Sequence, residues 1–330
     1  MKKLLFLFFV FLSMTFVAKL DAYTFNSEDD YVYLGGETVG LKLDTGVTVT
    51  KTYAISDGVK LIKPWDEAHL AVGDVITNYD DKTIKESSDL LKAIEDSLGR
   101  KTNITYVRNQ KSINATITPY TKNNTYSLGI YIKDNILGVG TLTYILKDNN
   151  YFGALGHQIE GVSCNSGHVY DAKVSGIRKS VSGEAGSKIA SIGQKELGLI
   201  SKNSITGIHG IYQANLNDHK LVQIKKREEI NLGKAEIITC IDGYNVESFE
   251  ILITSLQKQK EKNIKGITFK VTDERLIGKT GGIVQGMSGS PIIQDGKLIG
   301  AVTHVIVNSP LDGYGIYIEF MFQEMDINVV

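Results

Sequence analysis

Apolar and polar residues alternate along most of this chain. From Tyr31, YVYLGGETVGLKLDTGVTVTKTYAI alternates around Gly36, Gly40 and Gly46, the pattern of two or three short half-buried strands. Trp65, Ala68, Leu70 and Val72 lead into Gly73-Asp74-Val75-Ile76, a turn feeding a strand. The period then changes. In KESSDLLKAIEDSL, Leu90, Leu91, Ile94 and Leu98 recur at helical spacing, with Ser87 or Ser88 available as an N-cap. KTNITYVRNQKSINATITPY returns to alternation as two strands about a polar turn at Asn109-Gln110. From Tyr126 onward short strands follow one another, from SLGIYIKD and YFGALGHQI to GYGIYIEFM. Asn149-Asn150, Asp242-Gly243, Asp295-Gly296 and Asp312-Gly313 supply their turns, and one helix is expected between Glu247 and Gln259. About ten evenly spaced strands predict a barrel or sandwich, read here as two small barrels sharing a core seam.

The first residues break this pattern. MKKLLFLFFVFLSMTFVAKLDAYTF places Lys2 and Lys3 before an apolar run from Leu4 to Ala18, the form of a secretory signal or a short uncleaved anchor. Leu20-Asp21-Ala22 is a poor cleavage site because Leu20 is large for its place. Export across a membrane is therefore expected, and the polar YTFNSEDD reads as a tether. With Lys+Arg 36 against Asp+Glu 37 and no long basic block, the chain lacks the electrostatic footprint of a nucleic-acid binder. Gly at 33 against Pro at 4 suits a β-rich protein with many tight turns. Cys164 and Cys240 have no zinc-ligand spacing and read as two unpaired buried thiols.

The candidate chemistry sits in GGIVQGMSGSPIIQDGKLIGAVTHV. A serine that attacks a carbonyl needs rigid support and backbone N–H groups aimed at the developing oxyanion. In Gly286-Met287-Ser288-Gly289-Ser290-Pro291, the N–H groups of Gly286 and Ser288 can face one point, Gly289 allows close approach of a substrate, and Pro291 fixes the exit. Ser288 is the expected nucleophile and Ser290 its rival. Serine also needs a base. His157, beside Gly156 at the end of an apolar strand, is the expected one. His304, only 16 residues after Ser288, is the alternative, or a satisfied interior histidine. Asp171, Asp218, Asp242 and Asp273 all lie between His157 and Ser288, and spacing does not choose among them; Asp242 looks committed to its turn and Asp218 to a polar loop.

Two resemblances extend this reading. Residues 31–120, with a glycine loop, the Ala-x-Leu-x-x-Gly-Asp-x-Ile stretch, a helix and a strand pair, resemble a PDZ domain of the bacterial protease-associated kind. That likeness implies peptide addition to a sheet edge and a carboxylate-binding loop at Leu34, Gly35 and Gly36, or else at Val39-Gly40-Leu41. His69 stands where such domains often have glycine. The serine motif is similar to that of chymotrypsin-like peptidases. YFGALGH, KVTDERLIGKTGGIVQGMSGSPIIQDGKLIGAVTHV and GYGIYIEFM, behind the leader and the PDZ-like region, resemble the stage IV sporulation protein B serine peptidases of spore-forming Firmicutes. The resemblance implies a triad of His157, Asp273 and Ser288 and no metal or organic cofactor. It departs from the family at Glu160, where aspartate is expected, which bears on substrate preference.

The expected fold is thus mainly β: a signal-anchor helix over 1–25, a PDZ-like α+β domain over 26–120, and a chymotrypsin-like double β-barrel peptidase over 121–330. The family setting implies action in the forespore intermembrane space. There the enzyme would cleave a membrane-associated sporulation regulator, and its own chain, to start activation of a late sigma factor. The N-terminal segment would associate with the membrane. Two other readings stay open. An envelope quality-control protease of the HtrA kind would carry its PDZ units after the catalytic part. A catalytically silent scaffold would be expected to lack a triad residue.

Overall fold

The computed structural model describes residues 31–324 apart from 57, 110, 123–124 and 161–165. The leader expected over 1–25 and Cys164 lie outside the described residues. Among the described residues, no helix is long and apolar enough to cross a membrane.

Strands dominate, and two sheets account for nearly all of them. The second barrel closes on itself from six strands: Gly233–Asp242, Asn245–Leu256, Ile267–Val271, Ser309–Tyr317, Lys297–Ile306 and Pro291–Gln294. Its interior is filled by alternate residues such as Ile237, Phe249, Ile251, Phe269, Ile292 and Leu298, each about 1% exposed or less. The strand Asn245–Leu256 replaces the helix expected from Glu247 to Gln259. Phe249, Ile251 and Ile253 are buried while Leu252 between them is 40% exposed. Apolar side chains at every second position can share one face only in a strand.

The other sheet is longer and belongs to two domains at once. Thr38–Thr52 and Ile130–Leu146 pair antiparallel from Thr38↔Thr141 to Thr52↔Ile130. The first part of Thr38–Thr52 also pairs with Gly167–Arg178, from Val39↔Asp171 to Leu43↔Gly167. This closes the first barrel as a ring of Thr38–Thr52, Ile130–Leu146, Tyr151–Ala154, Gly207–Tyr212, Ser187–Ser204 and Gly167–Arg178. The last part of Thr38–Thr52 pairs instead with Val75–Tyr79, through Val47↔Ile76. Gly46 stands at the changeover with φ +89°, where an added Cβ would lie 2.1 Å from the Ile76 carbonyl oxygen. One strand pair therefore runs through both domains. Tyr31–Leu34, expected in the PDZ-like region, joins the first-barrel side by pairing with Ile130–Leu146 and Leu221–Gln223.

Three apolar clusters follow from this layout. One surrounds the helix Ser87–Asp96 and includes Val47, Ile76, Leu90, Ile94, Ile104 and Tyr106. A second fills the first barrel around Leu41, Leu142, Phe152, Val169 and Ile208. The third is the second barrel together with its flanking elements. Of the residues that predicted the helix, Leu90 and Ile94 are buried, whereas Leu91 and Leu98 are exposed. Its N-cap is Glu86, not Ser87 or Ser88. Asp89 accepts from the Glu86 N–H at 3.2 Å in a capping box. Ser87 uses both its N–H and its hydroxyl on Asp134, at 2.6 and 2.8 Å.

Candidate active site

The serine corner is built by both barrels. Within it, the Met287 N–H donates to Val284 O at 3.1 Å and the Ser290 N–H to Met287 O at 2.9 Å, a tight double turn. Gly289 N–H donates to Val302 O at 2.7 Å, fastening the corner to the strand Lys297–Ile306. The first barrel holds it through Thr141, whose N–H donates to Ser288 O at 2.9 Å and whose hydroxyl donates to Gly286 O at 2.7 Å. Thr143 donates its hydroxyl to Gly289 O at 2.7 Å. Gly286 and Gly289 have φ of +94° and +91°, where a side chain would strain the backbone. Gly289 was expected to make room for substrate. Its missing Cβ instead makes room for the protein, since that atom would lie 2.1 Å from Thr141 O and 2.4 Å from Leu155 N.

These bonds also orient two amides. The Gln285 carbonyl accepts from Lys188 N–H at 2.9 Å and the Met287 carbonyl from Ser290 N–H. In a trans peptide the N–H points away from the C=O. The Gly286 and Ser288 N–H groups are therefore turned away from these contacts, and among the described residues neither is used within the corner's hydrogen bonding. Gln285, Gly286 and Ser288 all line a cavity of about 430 Å³.

His157 lines the same cavity. The strand Tyr151–Ala154 ends in Leu155 and Gly156, both left-handed at φ +68° and +69°, which throws the histidine out of the sheet. His157 Nδ1 lies 2.9 Å from Gln158 O. A carbonyl only accepts, so the hydrogen sits on Nδ1, and in that tautomer Nε2 is the ring's acceptor atom. Ser288 is part-buried, and its hydroxyl donates to Thr303 O at 2.9 Å. The rival Ser290 is fully buried, with Thr141 Oγ1 at 3.5 Å, and cannot meet a substrate.

His304 is the third ring at the site. Its centroid is 4.8 Å from that of His157, and it too lines the cavity. It is not the satisfied interior histidine that the sequence allowed, because its buried Nδ1 has no hydrogen-bond partner among the described residues. Burial, then the neighbouring His157, lowers its pKa to about 4, so it is neutral at ordinary pH. Glu160 supplies the acidic side chain among the lining residues.

Asp273 is not brought to this cavity. It is the N-cap of the helix Glu274–Thr280, accepting from Arg275 N–H at 2.9 Å and Leu276 N–H at 3.4 Å. The Arg275 guanidinium donates to it at 2.8 Å, and the Glu250 N–H at 3.3 Å. Arg275 holds the Asp273 carboxyl below its usual range, so it is ionised but fully engaged. Thr272 beside it lines a different cavity, along with Glu236, Glu250 and Asp295.

The expected carboxylate loop is also elsewhere. Leu34, Gly35 and Gly36 lie between the barrels, and their N–H groups donate to Lys220 O, Thr143 O and Leu142 O at 2.8, 3.1 and 2.8 Å. Gly40, in the alternative Val39-Gly40-Leu41, is paired on both sides, with Val139 and with Tyr170. Neither loop has a row of free amides to offer. The glycine turn beside the helix Ser87–Asp96 is Leu128-Gly129-Ile130, with Gly129 at φ +71°. It lies between Tyr126, whose N–H reaches Glu95 at 3.4 Å, and the strand that carries Asp134 to Ser87. The signal was present in SLGIYIKD as a glycine directly before an alternating strand. His69 adopts φ +54°, the conformation that explains glycine at its place.

A PDZ domain model matches residues 25–118. No curated protein matches the chain. Among solved structures, the PDZ domain of the SdrC-like protein Lmo2051 from Listeria monocytogenes is 26% identical, covering 27% of this chain and 87% of that one, with a TM-score of 0.22. The Rv3671c protease of M. tuberculosis H37Rv, in its inactive form, is 16% identical, covering 55% of this chain and 79% of its own, with a TM-score of 0.31. Its serine-to-alanine mutant gives 16% identity, coverages of 54% and 76%, and a TM-score of 0.30. The SpoIVB peptidase S55 model matches residues 124–322, more than half of the chain and all of the serine site. With a serine corner and a histidine about one cavity, and a PDZ domain ahead of them, the chain belongs to the SpoIVB peptidase S55 family of serine peptidases.

Proposed function

We propose that this protein is an exported serine endopeptidase of sporulation signalling, with Ser288 as nucleophile and His157 as general base. The observation that supports the reading is the shared cavity, which Gly286, Ser288 and His157 all line. Reaction begins when the Ser288 hydroxyl leaves Thr303 O and turns to His157 Nε2. As Oγ bonds to the substrate carbonyl carbon, its proton passes to Nε2, and the carbonyl electron pair moves onto oxygen beside the two N–H groups. Collapse of the adduct breaks the peptide bond, and His157 returns the proton to the departing amine. Water then hydrolyses the acyl-serine with His157 again as base.

The Gln158 carbonyl holds His157 Nδ1 in this arrangement, the task usually given to a carboxylate. Asp273 would take that task only after exchanging Arg275 and the helix amides for the imidazole. The substrate in this proposal is a membrane-associated regulatory protein, with the chain's own N-terminal region as a second one. The apolar leader supports export to the forespore intermembrane space. The test is a fluorophosphonate probe with mass spectrometry of the N-terminus, in wild type and Ser288→Ala. Labelling at Ser288 and a processed N-terminus that is lost in the variant are expected. A folded wild type that takes no label would favour a silent scaffold, and labelling that survives Ser288→Ala would mean another nucleophile.

A further inference from the structure

Lys188, in the strand Ser187–Ser204, is fully buried, and among the described residues no carboxylate pairs with it. Its ammonium instead meets three threonine hydroxyls: Thr38 at 3.0 Å, Thr239 at 3.0 Å and Thr141 at 3.3 Å. An ammonium has three N–H donors and no acceptor, so three hydroxyl oxygens match it one for one. These threonines come from both barrels, Thr38 and Thr141 from the long paired strands and Thr239 from Gly233–Asp242.

The same residue grips the serine corner at three points. Its backbone N–H donates to Gln285 O at 2.9 Å. Its aliphatic stem lies under Gly286, where an added Cβ would come within 3.1–3.2 Å of Lys188 Cβ, Cγ and Cδ. Its ammonium donates to Thr141 Oγ1, and that hydroxyl donates its own hydrogen to Gly286 O at 2.7 Å. Because Lys188 donates to Thr141 Oγ1, that hydroxyl is the acceptor on this side, which leaves its single hydrogen for Gly286. The carbonyls on both sides of the Gly286 residue are thereby fixed.

We propose that Lys188 is a positioning residue for catalysis, holding Gln285–Ser288 in the shape that aims the Gly286 and Ser288 N–H groups into the cavity. It touches no substrate and acts through the corner and through Thr141. The proposal rests on the reading of Ser288 as nucleophile. A buried lysine without an acid is costly to keep, and burial draws its pKa down to about 7. A methionine would fill the same volume without that cost, so packing alone does not account for the ammonium.

The test uses saturation kinetics of fluorophosphonate labelling, in which the Ser288 Oγ–P bond forms, the P–F bond breaks, fluoride leaves and the proton passes to His157. Lys188→Met should lower the limiting labelling rate about tenfold to a hundredfold, with the half-saturating probe concentration unchanged and labelling still complete. Thr141→Val removes the relay hydroxyl while keeping Lys188, and should lower the limiting rate about tenfold. A purely structural role would instead reduce the labelled fraction, leaving the rate of the remainder at the wild-type value, and that outcome overturns the proposal. A wild-type rate in Lys188→Met overturns it as well. If that variant does not fold, Thr141→Val decides, and a wild-type rate there is fatal. A wild type that takes no label at Ser288 is a separate result, removing the peptidase reading and this one with it.

Discussion

Replacing Lys188 by methionine should change how the stability of the fold depends on pH. The lysine has an ordinary pKa of 10.5 in the unfolded chain and about 7 in the fold, because burial disfavours its charge. Between these values the unfolded chain binds a proton that the folded chain does not, so stability rises with pH through this window. The contribution is complete above about pH 10.5, falls as pH drops, and is flat below about pH 7. From pH ~9.5 down to pH ~7 the wild type should lose about 3 kcal/mol that Lys188→Met does not lose. Cys240, the titratable group acting on Lys188, is raised by its own burial and drawn down by Lys188, so the comparison is made with Cys240→Ser in both proteins to isolate the lysine. Urea unfolding of both proteins across this range measures it, with equal m-values as the check on two-state behaviour. Profiles that stay parallel within about 0.5 kcal/mol would refute the argument, because they would mean the ammonium is not held in a low-dielectric cage.

Three further outcomes are expected. His157→Ala should cut turnover of a labelled casein by about a thousandfold or more, whereas His304→Gln should stay within about tenfold; the reverse ranking would make His304 the base. Asp273→Asn keeps a good N-cap while losing the charge beside Arg275, so activity should stay within about tenfold. A loss near 10⁴-fold in the same assay, with the melting temperature held, would return Asp273 to the triad. Gly289→Ala forces a Cβ against Thr141 O and Leu155 N at positive φ, and should lower stability by about 3 kcal/mol or more in thermal melts.

Local patterns in the chain carried the serine corner and His157, because both depend on short-range rules. Gly286, Ser288 and Gly289 need their conformations within one turn, and His157 follows an apolar strand closed by Gly156. Asp273 shows where such rules compete. An aspartate ending a strand ahead of Glu274, with Gly281 closing the next turns at φ +73°, is also the signature of a helix cap, and the structure uses it as one. The strand Asn245–Leu256 misled the reading because Leu252 and Leu256 supply helical spacing that Phe249, Ile251 and Ile253 contradict. Leu34, Gly35 and Gly36 could not be placed by local pattern, since their partners are more than a hundred residues away. Lys188 left only a faint trace, a charged residue at a core-facing position whose threonine partners come from three other strands.

The shared strands Thr38–Thr52 and Ile130–Leu146 bear on how this molecule can be cut or recombined. A recombinant peptidase starting at residue 121 would lack the first-barrel strands contributed by residues 31–43, including Thr38 of the lysine cage. Such a fragment should emerge insoluble or empty of activity even with its whole serine motif intact. Grafting a foreign peptide-binding module onto this enzyme would likewise demand splicing within a β-ladder, so the two halves are woven cloth and not beads on a string.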